Sequence, residues 1–263
     1  DKDKMHPEDT RNLFIFFILA ALLYFTYDAF ILRPQTDAIR RQQIAQQEMF
    51  RANPNLAPKP EAPPKPRKEA LAENPRVEID NGRMFGSLSL KGARIDDISF
   101  QDYYDTLEKK DHVVLLSPQG AEFPRAVESG WVASEGNPAL PNADTIWSAQ
   151  GNTKLAPGAP VTLTWDNGQG LVFENKYEID DLYLISLTQK VSNKTGKAIT
   201  LVPFGVIVQK GLAPNFAPVW ISHEGPVGFT DGRLHEASYS GLRKEPLVPF
   251  EAMNGWAGIT DKY

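Results

Sequence analysis

Cysteine is absent from all 263 residues. Its absence excludes disulfides, cysteine zinc sites and thiol nucleophiles, and suits any compartment, an oxidising one included. Histidine is scarce. His6, His112, His223 and His235 are the whole set, and no two have the HxH or HExxH spacing of a metal site. Such residues ordinarily serve at a surface or a turn. Excess positive charge is also missing: the formal net charge is -5, which argues against nucleic acid as a main partner. There is no phosphate-cradling P-loop, no GxGxxG and no G-x-S-x-G nucleophile elbow. After residue 75 there is no long amphipathic helical pattern and no fixed-period repeat.

What the chain does have begins at once. Leu13 to Leu32, LFIFFILAALLYFTYDAFIL, is an unbroken apolar run whose only charge is Asp28. About 20 residues at 1.5 Å rise cross the roughly 30 Å hydrocarbon core of a bilayer. The run exceeds the apolar core of a signal peptide, and Arg33-Pro34-Gln35-Thr36-Asp37 follows it in place of an A-x-A site. It is apolar on every face and stands alone near a terminus, unlike a buried core helix. An uncleaved membrane anchor is therefore expected. Asp28 lies one turn from its end, within reach of the interface. The charge count leaves orientation open, because Lys2, Lys4 and Arg11 precede the run and Arg33, Arg40 and Arg41 follow it.

A spacer comes next. Thr36 to Arg51 is rich in Gln, Arg and Ala and suits an extension of the membrane helix. Proline then gathers at Pro54, Pro58, Pro60, Pro63, Pro64 and Pro66. The stretch PKPEAPPKPRKEA is expected to be non-helical, because each Pro removes a donor and restricts its predecessor. An extended tether at about 3.1 Å per residue is the expectation, in preference to a PxxP ligand.

From Arg76 onward the period becomes two. Ile185, Leu187 and Val191 share one face while Ser186, Thr188 and Lys190 take the other. Val161, Leu163 and Trp165 alternate with Thr162 and Thr164, and Phe204, Val206 and Val208 repeat the pattern. Alternation of this kind indicates half-buried antiparallel strands. Turn signals separate them: Asn81-Gly82 and Lys91-Gly92 flank Met84–Leu90, and Asp166-Asn167-Gly168-Gln169-Gly170 parts two runs. Asn193-Lys194-Thr195-Gly196 is expected to act the same way before Ile199–Val208. The fold class is mainly β, a sandwich or a relative of one.

Candidate chemistry is thin. Asp96-Asp97 and Asp180-Asp181 are acidic pairs, but strand neighbours point to opposite faces, so neither pair makes a dyad. Both are expected at strand ends and turns. His223-Glu224-Gly225 is the most enzyme-like tripeptide, a potential acid and base on a sugar, yet adjacency again separates the side chains. Asn193-Lys194-Thr195 matches a glycosylation sequon, as many polar turns do. Trp131, Trp147, Trp165, Trp220 and Trp256 suit sugar or peptide stacking, though core filling is the expectation for each.

Longer motifs are more specific. They are Arg11-Asn12-Leu13 opening the apolar run, Gly86-Ser87-Leu88-Ser89-Leu90-Lys91-Gly92-Ala93-Arg94-Ile95-Asp96-Asp97, and Val114-Leu115-Leu116-Ser117-Pro118. Ser129-Gly130-Trp131 and Val161-Thr162-Leu163-Thr164-Trp165-Asp166-Asn167-Gly168 follow. The last is Gly255-Trp256-Ala257-Gly258-Ile259-Thr260-Asp261-Lys262-Tyr263. With the order anchor, tether, β domain, they resemble the amino-terminal half of the YidC/Oxa1/Alb3 family of bacterial membrane insertases, alphaproteobacterial branch, over essentially the whole chain.

The resemblance implies residues 1–12 in the cytoplasm, 13–32 as a transmembrane helix, 33–75 as linker and 76–263 as a periplasmic domain. That domain would be an antiparallel β-supersandwich of galactose-mutarotase type. It implies a non-enzymatic insertase and chaperone of the inner membrane, with the lipid bilayer, nascent inner-membrane proteins and the Sec translocon, SecD and SecF included, as partners. No catalytic, cofactor-binding or metal-binding residue is expected, and no cofactor. The family's remaining β strands, membrane helices and substrate groove with its arginine would lie beyond Tyr263, so this stretch is expected to anchor and to contact partners. The alternative is a membrane-tethered sugar-binding or mutarotase-like enzyme built on His223 and Glu224.

Overall fold

The computed structural model describes residues 16–17, 63–134, 138–212, 223–244, 247–249 and 251–260. The chain divides into two compact units, Asp1–Glu61 and Ala62–Tyr263. In the first, the described pair Phe16 and Phe17 is helical, with ring centroids 5.8 Å apart, edge to face. The rest of the expected membrane run, Asp28 included, lies outside the described residues. Among those described, no helix is long and apolar enough to cross a membrane.

The second unit is built almost entirely of strands. A short helix α1 (Arg67–Ala72) precedes β1 (Arg76–Asp80), β2 (Met84–Ser89), β3 (Arg94–Tyr104), β4 (His112–Leu116) and β5 (Arg125–Ala133). Then come β6 (Ser148–Ala156), β7 (Ala159–Asp166), β8 (Leu171–Ile179), β9 (Ile185–Asn193) and β10 (Leu201–Gln209). β11 (Gly225–Thr230), β12 (Arg233–Glu236), one helical turn α2 (Tyr239–Leu242) and β13 (Gly255–Thr260) complete it. The mainly β reading is borne out.

β1 to β10 make one 10-stranded sheet in the order β10-β5-β3-β2-β1-β6-β7-β8-β9, with β4 alongside β3. β12-β11-β13 form a separate sheet. The large sheet folds back on itself at the short parallel pairing of β1 with β6, which joins Glu78 to Lys154 and Ile79 to Leu155. Its two halves thereby face one another in a sandwich-like arrangement. The inner faces share one core: Val77, Ile79, Leu88 and Ile98 from one half meet Leu155, Val161, Leu163, Phe173 and Tyr177 from the other. Trp131 on β5 lies 5.0 Å from Phe173 on β8, centroid to centroid. The Tyr177 hydroxyl donates to the carbonyl of Ala93 across the core at 2.9 Å. Burying side chains of this size contributes about 1.5–3 kcal/mol each.

The turn chemistry forms as expected, but it does not always make hairpins. Between β7 and β8 the Asn167 side chain accepts from the N–H of Gln169 and Leu171, and Gly168 takes φ 69°. A hairpin results, in register from Val161–Tyr177 to Asp166–Val172. Asn193 is equally well turned: its side-chain oxygen accepts from Thr195 N at 2.9 Å, and its amide donates to Lys197 O at 2.8 Å. Yet β9 and β10 do not pair. β10 lies beside β5, at the opposite end of the sheet. The expectation that this turn works like the previous one is corrected. Hydrogen bonding within the turn reverses the chain, and the register partner is chosen elsewhere.

A second correction concerns the Pro-rich stretch, whose last residues are helical. Pro66 stands at the N-cap of α1 with φ -51° and ψ 136°. Proline restricts itself and its predecessor, not its successors. Arg-Lys-Glu-Ala-Leu-Ala after it are all good helix formers.

Candidate functional site: a buried charge cluster under the first helix

In a regular strand, residues three apart face opposite sides. Ile95 and Ile98 nevertheless both join the core. A β-bulge reconciles them: Ser87 of β2 pairs with Asp97, Leu88 pairs with Ile95, and Asp96 is the inserted residue. Residues Ile95 to Ser99 are consequently all buried. Gly86, beside the bulge, has φ +157°, and a Cβ there would sit 1.9 Å from the carbonyl oxygen of Asp97. Only glycine allows that approach.

The bulge brings both carboxylates to the outer side of the sheet, where each meets its own guanidinium. Asp96 pairs with Arg76, and Asp97 pairs with Arg67 of α1. Ser87 joins the two pairs. Its hydroxyl accepts from Arg76 Nε at 2.6 Å and donates to Asp97 Oδ2 at 2.5 Å. Arg67 also reaches Ser99 Oγ and the carbonyl of Leu116, both at 3.4 Å. Burial holds the Asp96 carboxyl above its ordinary range, and the Arg76 charge opposes this only in part. Charges taken out of water need such pairing and hydrogen bonding to persist. Through Arg67 and Asp97 the cluster fastens α1 to the sheet.

The acidic pair expected at a strand end or turn is thus found inside β3, with both members on one side, because the bulge breaks the alternation. Sequence reasoning missed Arg67, Arg76, Ser87 and Ser99. The usable signal was Ile95-Asp96-Asp97-Ile98, an apolar spacing of three inside a run otherwise of period two. Asp180 and Asp181 do sit in a turn, before β9. Asp180 Oδ1 accepts from the N–H of Leu182 and Leu184, each at 2.9 Å, and Asp181 O accepts from Arg83 Nε.

His223 and Glu224 are not drawn into a catalytic arrangement. His223 Nε2 meets the carbonyl of Pro226 at 3.0 Å, and Thr260 Oγ1 donates to the His223 carbonyl. No group of three or more His, Cys, Asp or Glu residues able to hold a metal occurs among the described residues. Trp131 and Trp147 are buried and stacked at 6.4 Å, and Trp165 packs at the core margin against Phe173. Trp256 departs from the expectation: it is 56% exposed, because the small sheet that carries it has no described layer over that side. Trp220 lies outside the described residues.

A family model for the YidC periplasmic domain matches residues 76–263. Relatives named membrane protein insertase YidC come from Beijerinckia indica subsp. indica, 38% identical, and Bradyrhizobium diazoefficiens, 37% identical. Another, from Pelagibacter ubique, is 34% identical. Each alignment takes in 97% of this chain, but only 46%, 45% and 46% of the respective relative. The chain spans about half the length of the curated relatives it matches.

Proposed function

The chain belongs to the YidC periplasmic-domain family, and from that membership we propose that it forms the anchoring and periplasmic part of an inner-membrane protein insertase. The carrying observation is the match to proteins named as insertases across 97% of the chain, from the apolar run through the β domain. In this reading Leu13–Leu32 anchors the chain with residues 1–12 in the cytoplasm, residues 33–75 connect, and residues 76–263 stand in the periplasm.

The work of such a protein is physical. Every unsatisfied backbone group moved into hydrocarbon costs several kcal/mol. A polar passage beside the lipid lowers that barrier for a nascent membrane segment. The β domain would contribute contacts, with the Sec translocon and its SecD and SecF components as candidate partners. The test is insertion in cells depleted of their own insertase. Supplying the full-length protein should restore insertion of a single-span membrane protein, scored by protease accessibility from the periplasmic side. Stable accumulation in the membrane without restored insertion would overturn the proposal.

A further inference from the structure

Residues 63–73 lie between the Pro-rich tether and β1, and among the described residues they hold to the sheet by few contacts. α1 has six residues and no side-chain cap, and Ala70 is its one buried residue. Helices this short have no stability of their own in water. One isolated parallel bridge joins Lys65 to Ala121, with Lys65 N donating to Gly120 O at 2.8 Å. The Lys65–Glu73 ion pair is internal to the segment and half exposed on both sides. Among the described residues there remain the half-buried Leu71 and, chiefly, Arg67, which reaches Asp97, Ser99 and Leu116. β1, three residues further on, is held by a ladder of five residue pairs to β2 and by the mostly enclosed Arg76 paired with Asp96.

The two members of the cluster differ in what their loss would leave behind. Arg76 is 12% exposed, and its removal would take from the buried Asp96 carboxyl the charge that opposes its desolvation. Asp97 keeps the Ser87 hydroxyl when Arg67 departs, and departure of the covering helix admits water to its carboxylate. Lifting residues 63–73 therefore leaves no bare charge in a dry site.

We propose that residues 63–73 are a releasable strap, fastened chiefly by Arg67 to Asp97, that opens while the β sandwich stays folded. Opening converts 11 docked residues into added tether, about 34 Å of reach at 3.1 Å per residue. The strap thereby sets the working length of the connection to the residues before it. Local opening of this type belongs to segments with few buried contacts.

Hydrogen exchange of the full chain in detergent tests this. Strap amides, Ala70 and Glu73 above all, should exchange far faster than those of β8. Arg67→Gln should accelerate them about tenfold and leave β8 unchanged. A second variant, Lys65→Cys with Ala121→Cys, adds the chain's only thiols. Its oxidised form should slow strap exchange at least tenfold, and reduction should reverse the slowing. Strap amides exchanging together with β8 in the unaltered protein would overturn the proposal. So would acceleration of both regions alike by Arg67→Gln, or an oxidised pair that leaves strap exchange unchanged.

Discussion

β8 and β10 are both nine residues long and both alternate large apolar side chains, yet among the described strands one is the most enclosed and the other among the most open. In β8, Leu171, Phe173, Asn175, Tyr177 and Ile179 are all buried, with β7 on one edge, β9 on the other and the facing half-sheet above. In β10, Val202, Phe204, Val206 and Val208 are each at least two-fifths exposed. Among the described residues β10 has one neighbour, β5, and their shared outer face carries no layer. Alternation reports that a strand has two unlike faces. It does not report whether anything lies against either one.

The pairing also explains a proline in mid-strand. Lys210 N donates to Pro124 O and Thr200 O accepts from Ser134 N, so even-numbered residues of β10 turn their backbone groups toward β5. Pro203, being odd, places its missing N–H at the open edge. Proline there breaks no ladder bond and blunts the edge against stray pairing.

The largest test of this contrast replaces one phenylalanine in each strand. Phe173→Ala should cost about 3–5 kcal/mol, because it empties a space bounded by Trp131 and Trp165. Phe204→Ala should cost less than about 1 kcal/mol, because water already reaches the ring. Urea unfolding of both variants measures the difference, and equal losses would show that β10 is covered in solution.

A smaller effect comes from Tyr177→Phe. It removes the bond to Ala93 O, for a loss of about 1 kcal/mol near neutrality. It should also change the pH dependence. Burial pushes the Tyr177 phenol well above its ordinary value of 10.0. Above that pH the unfolded chain releases this proton and the native chain keeps it. The contribution is whole below pH 10 and falls as pH rises, by at most about 1.4 kcal/mol per unit. Unfolding midpoints between pH 9 and 11.5 should therefore fall more steeply for the unaltered protein than for Tyr177→Phe. The smallest effect should come from Val206→Lys on β10, within about 0.5 kcal/mol of the starting stability by the same urea assay.

Much of this was legible before any coordinates. Asn167-Gly168 and Asn81-Gly82 mark turns because their side chains and positive φ meet local demands that no distant residue alters. The alternating runs located β7, β9 and β10 for a similar reason, and the flanking turns marked β2. Trp131 and Trp147 were placed in the core because large apolar surface seeks cover. The cluster under α1 was not legible. Its members are 20 and 30 residues apart in each pair, and the bulge that gathers them exists only once β2 and β3 are in register.

Local rules set the period-two strands, the chemistry of their turns and the apolar run at the start, since each depends on neighbours within a few residues. Partnership across the chain was left to the assembled sheet. β9 and β10 follow one another through a well-formed turn and still end at opposite edges, because competition between long-range pairings settles which strand lies beside which. The same competition decides that Phe173 is buried and Phe204 is wet, and that two neighbouring aspartates share one side of a strand. Burial and pairing are properties of surfaces brought together, and a linear pattern specifies only one of the two surfaces.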